Sequence, residues 1–308
     1  MVEAHRIAYY EKTLGQLFCQ DKARDIVNML LRECAEARVS IKLKQCIETV
    51  EKKDDGFSIR CDNRRYRSQS VVVASGGLSI PTMGASPFAY QLAKQFGLKV
   101  YPTRAGLVPF TLQPEDKSRL AELAGVSVDC EVECNGQAFR EMLLFTHRGL
   151  SGPAMLQISS YWQAGYALSI HIMPEIDWLS ALLEARSTSA ELHLKTWLSR
   201  ALPKRLLDVL LNKSLLESPI KRLTEAQLIE VAATLSQWQI KPNGTEGYRT
   251  AEVTLGGVDC DEVSSKTFEA HKVTGLYFIG EALDVSGWLG GYNFQWAWSS
   301  GWACGQKV

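Results

Sequence analysis

The stretch TGLYFIGEALDVSGWLGGYNFQWAWSSGWACG (274–305) constrains the fold more than any other part of the chain. A short apolar strand over Leu276–Ile279 runs into Gly280-Glu281. After a loop, Gly290-Gly291 opens a helix on which Ala297, Ser300, Gly301, Ala303 and Cys304 form a stripe of small residues. The glycines let backbone approach a ligand closely, and the bare N–H groups of a helix start favour negative charge. A strand ending at an acid before such a helix suits an electron-rich ring with a polyhydroxyl chain. A flavin, whose reduced form carries charge on its N1–C2=O edge, fits this description. A C-terminal βα unit with a tight turn and no ligand accounts for the same residues.

At 308 residues the chain holds two compact domains, or one domain with a large insertion. Its 46% hydrophobic content argues against disorder. Lys+Arg and Asp+Glu balance at 34 each, so no overall basic field draws the chain to nucleic acid or an anionic membrane. The expected partner is a small-molecule substrate, with no nucleic acid and no membrane. No apolar run approaches a membrane span, and MVEAHRIAYYEKT lacks a signal-peptide core, which predicts a cytoplasmic protein. The eight cysteines form no CxxC and read as reduced, buried small residues. Cys130 and Cys134 share one face of a strand without His partners, so no metal is expected.

Along the chain, residues 7–19 read as two short strands joined at Thr13–Gly15, and Asp21 can cap a helix that buries Ile26, Met29, Leu30 and Cys34. Strands are expected at Val39–Leu43, Ile47–Val50 and Phe57–Cys61, with Asp54-Asp55-Gly56 as a turn. Ser70–Ala74 reads as a strand buried on both faces, ending in Ser75-Gly76-Gly77, and a helix follows over Pro87–Phe96. Residues 105–173 carry strand-like stretches (126–134, 139–145, 166–172) around a helix at 153–162. Residues 175–235 read as helical, with Leu206, Leu207, Leu210 and Leu211 at helical spacing. Asn243-Gly244 and Glu246-Gly247 mark a turn, and strand-like sequence resumes near Thr250. The expected organisation is an α/β domain made from both ends of the chain and interrupted by a mixed β and helical insertion.

Three double-glycine sites at strand ends or turns (Gly76-Gly77, Gly256-Gly257, Gly290-Gly291) point together to backbone crowding around a long flat ligand such as a dinucleotide. Yet no G-x-G-x-x-G, Walker loop or HExxH occurs. Serine hydrolysis through Ser151 fails, because Gly149-Leu150-Ser151-Gly152-Pro153 is one residue short of G-x-S-x-G. Ser151 reads instead as the N-cap of the helix at Pro153. Among Trp288, Tyr292, Phe294, Trp296 and Trp298, which can stack on a ring or fill core, Tyr292 and Asn293 in the helix's first turn are the favoured ligand contacts.

The segments EKTLGQLFCQDKARDIVNML (11–30), VVVASGGLSIPTMGASPFAYQLAKQFGL (71–98), LFTHRGLSGPAMLQISSYW (144–162), AEVTLGGVD (251–259) and SKTFEAHKVTGLYFIGEALDVSGWLGGYNFQWAWSSGWACG (265–305) resemble the BaiN-like family of bacterial NAD(P)/FAD-dependent oxidoreductases. They run end to end in that family's order. The resemblance implies a two-dinucleotide-binding FAD domain of α/β class (1–103 and 253–308), interrupted by a β-barrel-like domain (104–174, returning at 237–252) that carries a helical subdomain (175–236). It implies FAD as cofactor, NAD(P)H as a donor, and hydride transfer through the flavin N5. Members of the family include reductases of steroid-like enones and aminoacetone oxidases.

Residue by residue, the resemblance assigns Ser75, Gly76 and Gly77 to the glycine motif at the crossing into the insert. Gly280 and Glu281 are assigned to the ribityl chain, Gly290, Gly291, Tyr292 and Asn293 to the pyrimidine edge, and Ile47 to the adenine. Thr146, His147 and Ser151 are candidates for the substrate wall; no acid or base is singled out. Members of the family begin with a strand, a G-x-G-x-x-G turn and a helix, and this sequence starts downstream of them. The expectation is a truncated relative with weak or absent FAD binding. The alternative is a non-catalytic remnant that binds at most a protein partner.

Overall fold

The computed structural model describes residues 1–12, 15–62 and 64–308. An antiparallel pair, β1 (Tyr9–Glu11) and β2 (Leu17–Cys19), precedes helix α1 (Arg24–Glu36). Next come the three-stranded antiparallel sheet β3 (Ile47–Lys53), β4 (Gly56–Cys61) and β5 (Arg64–Ser68), then β6 (Val71–Val73), α2 (Phe88–Gln95) and β7 (Val100–Gly106). The middle of the chain supplies β8 (Phe110–Leu112), α3 (Pro114–Leu120), β9 (Ser127–Cys134), β10 (Gln137–Phe145), β11 (Gly149–Ser151), α4 (Pro153–Ser159) and β12 (Leu168–Ile172). Five helices follow: α5 (Trp178–Thr188), α6 (Leu194–Leu198), α7 (Lys204–Leu210), α8 (Lys213–Leu216) and α9 (Glu225–Ser236). The chain then returns through β13 (Trp238–Ile240), β14 (Pro242–Thr245), β15 (Val253–Val258), β16 (Leu276–Phe278) and α10 (Tyr292–Gly305).

Two separate cores form. The middle of the chain builds a seven-stranded sheet in the order β13-β12-β9-β10-β11-β8-β14. Its antiparallel pairs and the leucines of α5–α9 make one contiguous apolar cluster spanning Phe110 to Ile240. Only Lys241 separates the edge strands β13 and β14, so the sheet curls until its two edges approach. Alternation drives this core: β9 buries Val128, Cys130, Val132 and Cys134 and turns Asp129, Glu131 and Glu133 to the other face, as period-two patterning requires. The second core joins the two ends of the chain, with Val50, Phe57, Val73 and the α2 face packed on Val258, Phe278, Leu283 and Cys304.

At the centre of the second core, β6 and β16 pair in parallel, Val71 with Leu276 and Val73 with Phe278. A parallel pair needs a crossover, and here the crossover contains the entire first core. Both strands therefore end at the same side, with Ala74–Gly77 next to Ile279–Glu281. Phe278 and Val73 are buried, whereas Val72 is 38% exposed, so β6 is covered on one face rather than on both.

Several local expectations are corrected. Val39–Leu43 forms no strand: it lies between Arg38 and Lys44, both at positive φ, and no described residue pairs with it. Helix α1 begins after Ala23 without a side-chain cap, leaving Asp21 outside, and Leu30 is exposed although Met29 is buried. Asn243-Gly244 lies inside β14, where a bulge after Pro242 absorbs the extra residue. Gly256-Gly257 likewise forms a bulge within β15, not a turn. Ser151 belongs to β11, opposite Leu144, and Gly152 takes the N-cap position of α4 at φ +89. A side chain at 152 would sit 2.5 Å from the Met142 carbonyl, which is why the cap falls to glycine. The join at Thr13–Gly15 falls largely on residues outside those described.

Candidate functional site

A cavity of about 630 Å³ opens beyond the carboxyl ends of β6 and β16, the place where open parallel sheets receive ligands. Its floor is Ala74, Gly76, Gly280 and Glu281, and its far wall is the loop and first turn of α10. Volumes of this size suit a small-molecule or cofactor site. Gly76, Gly280 and Gly291 lie at φ of +70, +61 and +89, and a Cβ built on any of them meets no atom within 4 Å. Bare backbone thus faces open space along the cavity, which is the cradle a flat ligand needs.

Hydrogen bonds hold this floor in place. Gly280 donates its N–H to Ser300 Oγ at 3.0 Å, and Trp296 Nε1 donates to the Gly280 carbonyl at 2.9 Å. Ser300 is fully buried, so the small-residue stripe lets α10 lie close against the strand end. The Glu281 carboxylate accepts from the backbone N–H groups of Thr254 and Gly77. Thr254 Oγ1 in turn accepts from Leu78 N–H at 2.8 Å. Burial raises the Glu281 pKa above the usual carboxylate value, and the two N–H donors oppose that rise.

The opposite wall is apolar and aromatic. Trp288, Phe294 and Trp296 line it with Leu107, Val253 and Val285. Trp288 reaches across to the first core, donating Nε1–H to Tyr161 Oη at 2.8 Å and meeting the Phe139 ring edge-on at 5.2 Å. Helix α10 has no side-chain cap; its first backward bond runs from Gln295 N–H to Gly291, so the N–H groups of the first turn stay available. Glu252 completes the rim: its carboxyl makes no hydrogen bond or ion pair among the described residues, and partial burial raises its pKa.

Of the residues expected at a cofactor, the structure brings Gly76, Gly280, Glu281, Gly290, Gly291 and Asn293 to one cavity. Asn293 spends its amide on the loop, accepting from Gly287 N–H at 2.8 Å and donating to the Gly287 carbonyl. Gly77 packs behind the floor, where a Cβ would lie 2.5 Å from Thr254 Oγ1. Ser75, Tyr292 and Ile47 do not line the cavity; Tyr292 is 62% exposed and Ile47 opens β3.

Thr146 and His147 lie in the β10–β11 turn and Ser151 ends β11; none of them lines the cavity. Thr146 Oγ1 there accepts from the N–H groups of Arg148 and Gly149, a turn-closing role, and His147 is exposed. Of the wall residues, the sequence marks Trp288 only as one of several aromatics that stack on a ring or fill core, and it does not single out Glu252 at all. The signal for Glu252 was its place just before Thr254-Leu255-Gly256-Gly257. Among the described residues no group of three or more His, Cys, Asp or Glu could hold a metal, and no helix is long and apolar enough to cross a membrane.

Comparison with known proteins places this arrangement among named relatives. The model described as "HI0933-like protein Rossmann domain" matches residues 1–307. A ribosomal RNA dihydrouridine synthase of Escherichia coli (strain K12) is 53% identical over 310 residues, covering all of this chain and 78% of its own length. A protein of the same name from Haemophilus influenzae is 44% identical over 314 residues, again across 78% of its length. A 3-dehydro-bile acid delta(4,6)-reductase of Clostridium scindens is 30% identical over 304 residues, covering 94% of this chain and 74% of the relative.

Proposed function

The chain belongs to the HI0933-like family, and from that premise we propose that it is a flavin-dependent reductase acting on a carbon–carbon double bond conjugated to a carbonyl, with a uracil ring of ribosomal RNA as substrate. The observation that carries the reading is the glycine-floored, aromatic-walled cavity at the ends of β6 and β16. The relatives' names converge on the same chemistry. Dihydrouridine arises by saturating the double bond of uracil next to its carbonyl, and a 3-oxo steroid with 4,6 unsaturation is a conjugated dienone. The two relatives at 44% and 53% identity favour the RNA base over the steroid.

Held in this cavity, a flavin would supply the hydride. Gly76, Gly280 and Gly291 would admit its ring and chain, because no side chain blocks them. The first turn of α10 offers N–H groups and the positive end of a helix dipole to negative charge at the ring edge. Leu107, Val253 and Trp296 give the cavity an apolar wall. Saturating a conjugated double bond also needs a proton at the carbon beside the carbonyl. Glu252, with its raised pKa, holds that proton at the cavity rim. The two-core arrangement supports domain limits of 1–103 with 253–308, and 104–252 with its helical part at 175–236.

The test is to incubate the purified chain with excess FAD, desalt it, and record the visible spectrum. Dihydrouridine is then quantified by mass spectrometry in unmodified ribosomal RNA treated with that preparation and NADPH. A perturbed flavin band is expected, weakly retained because the chain carries no G-x-G-x-x-G, together with new dihydrouridine. A retained band without dihydrouridine overturns the RNA assignment, and a chain that leaves free flavin's spectrum unchanged at any concentration overturns the cofactor assignment.

A further inference from the structure

A second cleft, of about 410 Å³, lies where β14 and β8 meet the start of α3 and the β10–β11 turn. Thr111 and Thr245 bring hydroxyls to it, and Lys117, Arg148 and Arg249 bring three cations against the single carboxylate of Glu246. Arg148 Nη1 is fixed to Glu246 at 2.8 Å, and the Glu246 side chain is only 9% exposed. Lys117 and Arg249 are exposed and enter no ion pair among the described residues. Two uncommitted cations beside an anchored third, with hydroxyl donors around them, form a receptor for phosphate oxygens.

The cleft is joined to the glycine-floored cavity by one strip of chain. Glu246, in the cleft, donates its N–H to the Pro109 carbonyl at 2.9 Å, and Glu252, at the cavity, donates its N–H to the Leu107 carbonyl at 3.1 Å. Between them Tyr248 accepts from Ile80 N–H at 2.8 Å, and Ile80 also lines the cavity. Arg249 and Glu252 are three residues apart, so their Cα atoms are separated by at most about 11 Å even if fully extended. A cation that close to a cavity holding a base is within reach of the backbone of the same or the neighbouring nucleotide.

We propose that this cleft is the phosphate-binding site for the RNA strand whose reacting base enters the cavity, with Lys117 and Arg249 contacting backbone phosphates. The inference rests on the RNA reading of the function given above. The zero formal charge of the whole chain does not oppose it. At physiological ionic strength charges are screened beyond about 8 Å, so a bound phosphate responds to the cleft and not to the total. Positioning by phosphate contacts, with the base read elsewhere, is the ordinary division of labour in nucleic-acid recognition.

The experiment measures fluorescence anisotropy of a labelled oligouridylate of about twelve nucleotides across a KCl series. The chain is compared with Lys117→Gln/Arg249→Gln, and with Arg65→Gln/Arg67→Gln on β5, which removes the same charge outside the cleft. Thermal melting confirms that all three are equally folded. The cleft variant is expected to bind about tenfold more weakly at low salt, and its slope of log K against log salt to fall by about 1.4, from two lost single-strand phosphate contacts. The β5 variant is expected to stay near the parent. Equal weakening in both variants, or an unchanged cleft variant, overturns the site while leaving the RNA reading intact. A parent chain that binds no RNA at the lowest salt overturns that reading and this inference together.

Discussion

Glu281 accepts a hydrogen bond from the backbone N–H of Thr254 at 2.5 Å, and this contact locks the end of the parallel pair onto β15. The same carboxylate takes the N–H of Gly77, so one side chain joins three segments that are remote in sequence. It also spends the acid on structure. Glu281 shapes the cavity floor, and Glu252 is left as the uncommitted acid on the rim.

Gly77→Ala tests that junction. A Cβ there would lie 2.5 Å from Thr254 Oγ1, 2.7 Å from Thr254 Cβ and 3.2 Å from Glu281 Cδ, all within tightly held groups. Overpacking of this kind costs about 1–3 kcal/mol. Chemical denaturation should show the loss as a lower midpoint with an unchanged m-value, and an unchanged midpoint would refute the packing described for Thr254.

The pH dependence of stability reports on Glu281. Burial raises its folded pKa above the usual 4.5, so the folded chain favours the protonated form. Its contribution is fully present below the unfolded value and is lost as pH rises through the folded one. Calorimetric melting of the parent and of Glu281→Gln should therefore give a difference, parent minus variant, that declines as pH climbs from about 4.5 through that window. A difference that grows with pH would mean the carboxylate is the favoured form.

Glu252→Gln removes the proposed proton donor while keeping size and shape. Loss of a general acid lowers turnover by about 10²–10⁴-fold. Because burial raises the Glu252 pKa, the parent's turnover should be highest below that pKa and fall as pH rises through it. The variant should lose this limb of the profile while retaining flavin, as read from its visible spectrum. Parent-like turnover would assign the proton to another group or to water.

Helix α10 carries an exposed aromatic row at four-residue spacing: Phe294 at 76%, Trp298 at 43% and Trp302 at 71% exposure. Contiguous apolar surface of this kind drives association. Light scattering after size exclusion should show concentration-dependent oligomers, and Trp298→Ser/Trp302→Ser should shift them toward monomer. A parent that stays monomeric at high concentration would show that the row is tolerated in water.

Where hydrophobic periodicity is strong, the elements were legible from residue order. The alternation of 127–134, the apolar run of 276–278 and the leucines of 204–235 each match an element of the right type. Errors fell where a short apolar pattern has no partner, as at Val39–Leu43, or where a glycine lies in a bulged strand instead of ending it, as at Gly244 and Gly256-Gly257. Bulges depend on the partner strand's register, which neighbouring residues do not encode.

By itself the sequence determined the α/β class, the strand–glycine–helix unit near the C-terminus and the candidate glycines, because backbone freedom and side-chain period are local properties. Only the tertiary structure decided which glycines face the cavity and which, like Gly77, sit behind it. It also decided that Glu281 is a brace, that Glu252 is open to the cavity, and that Arg249 stands a short strip away in a second cleft. Those assignments depend on contacts such as Leu78 N–H to Thr254 Oγ1, separated by 176 positions. Burial and hydrogen bonding set a carboxyl's chemistry, and both come from residues that only folding brings together.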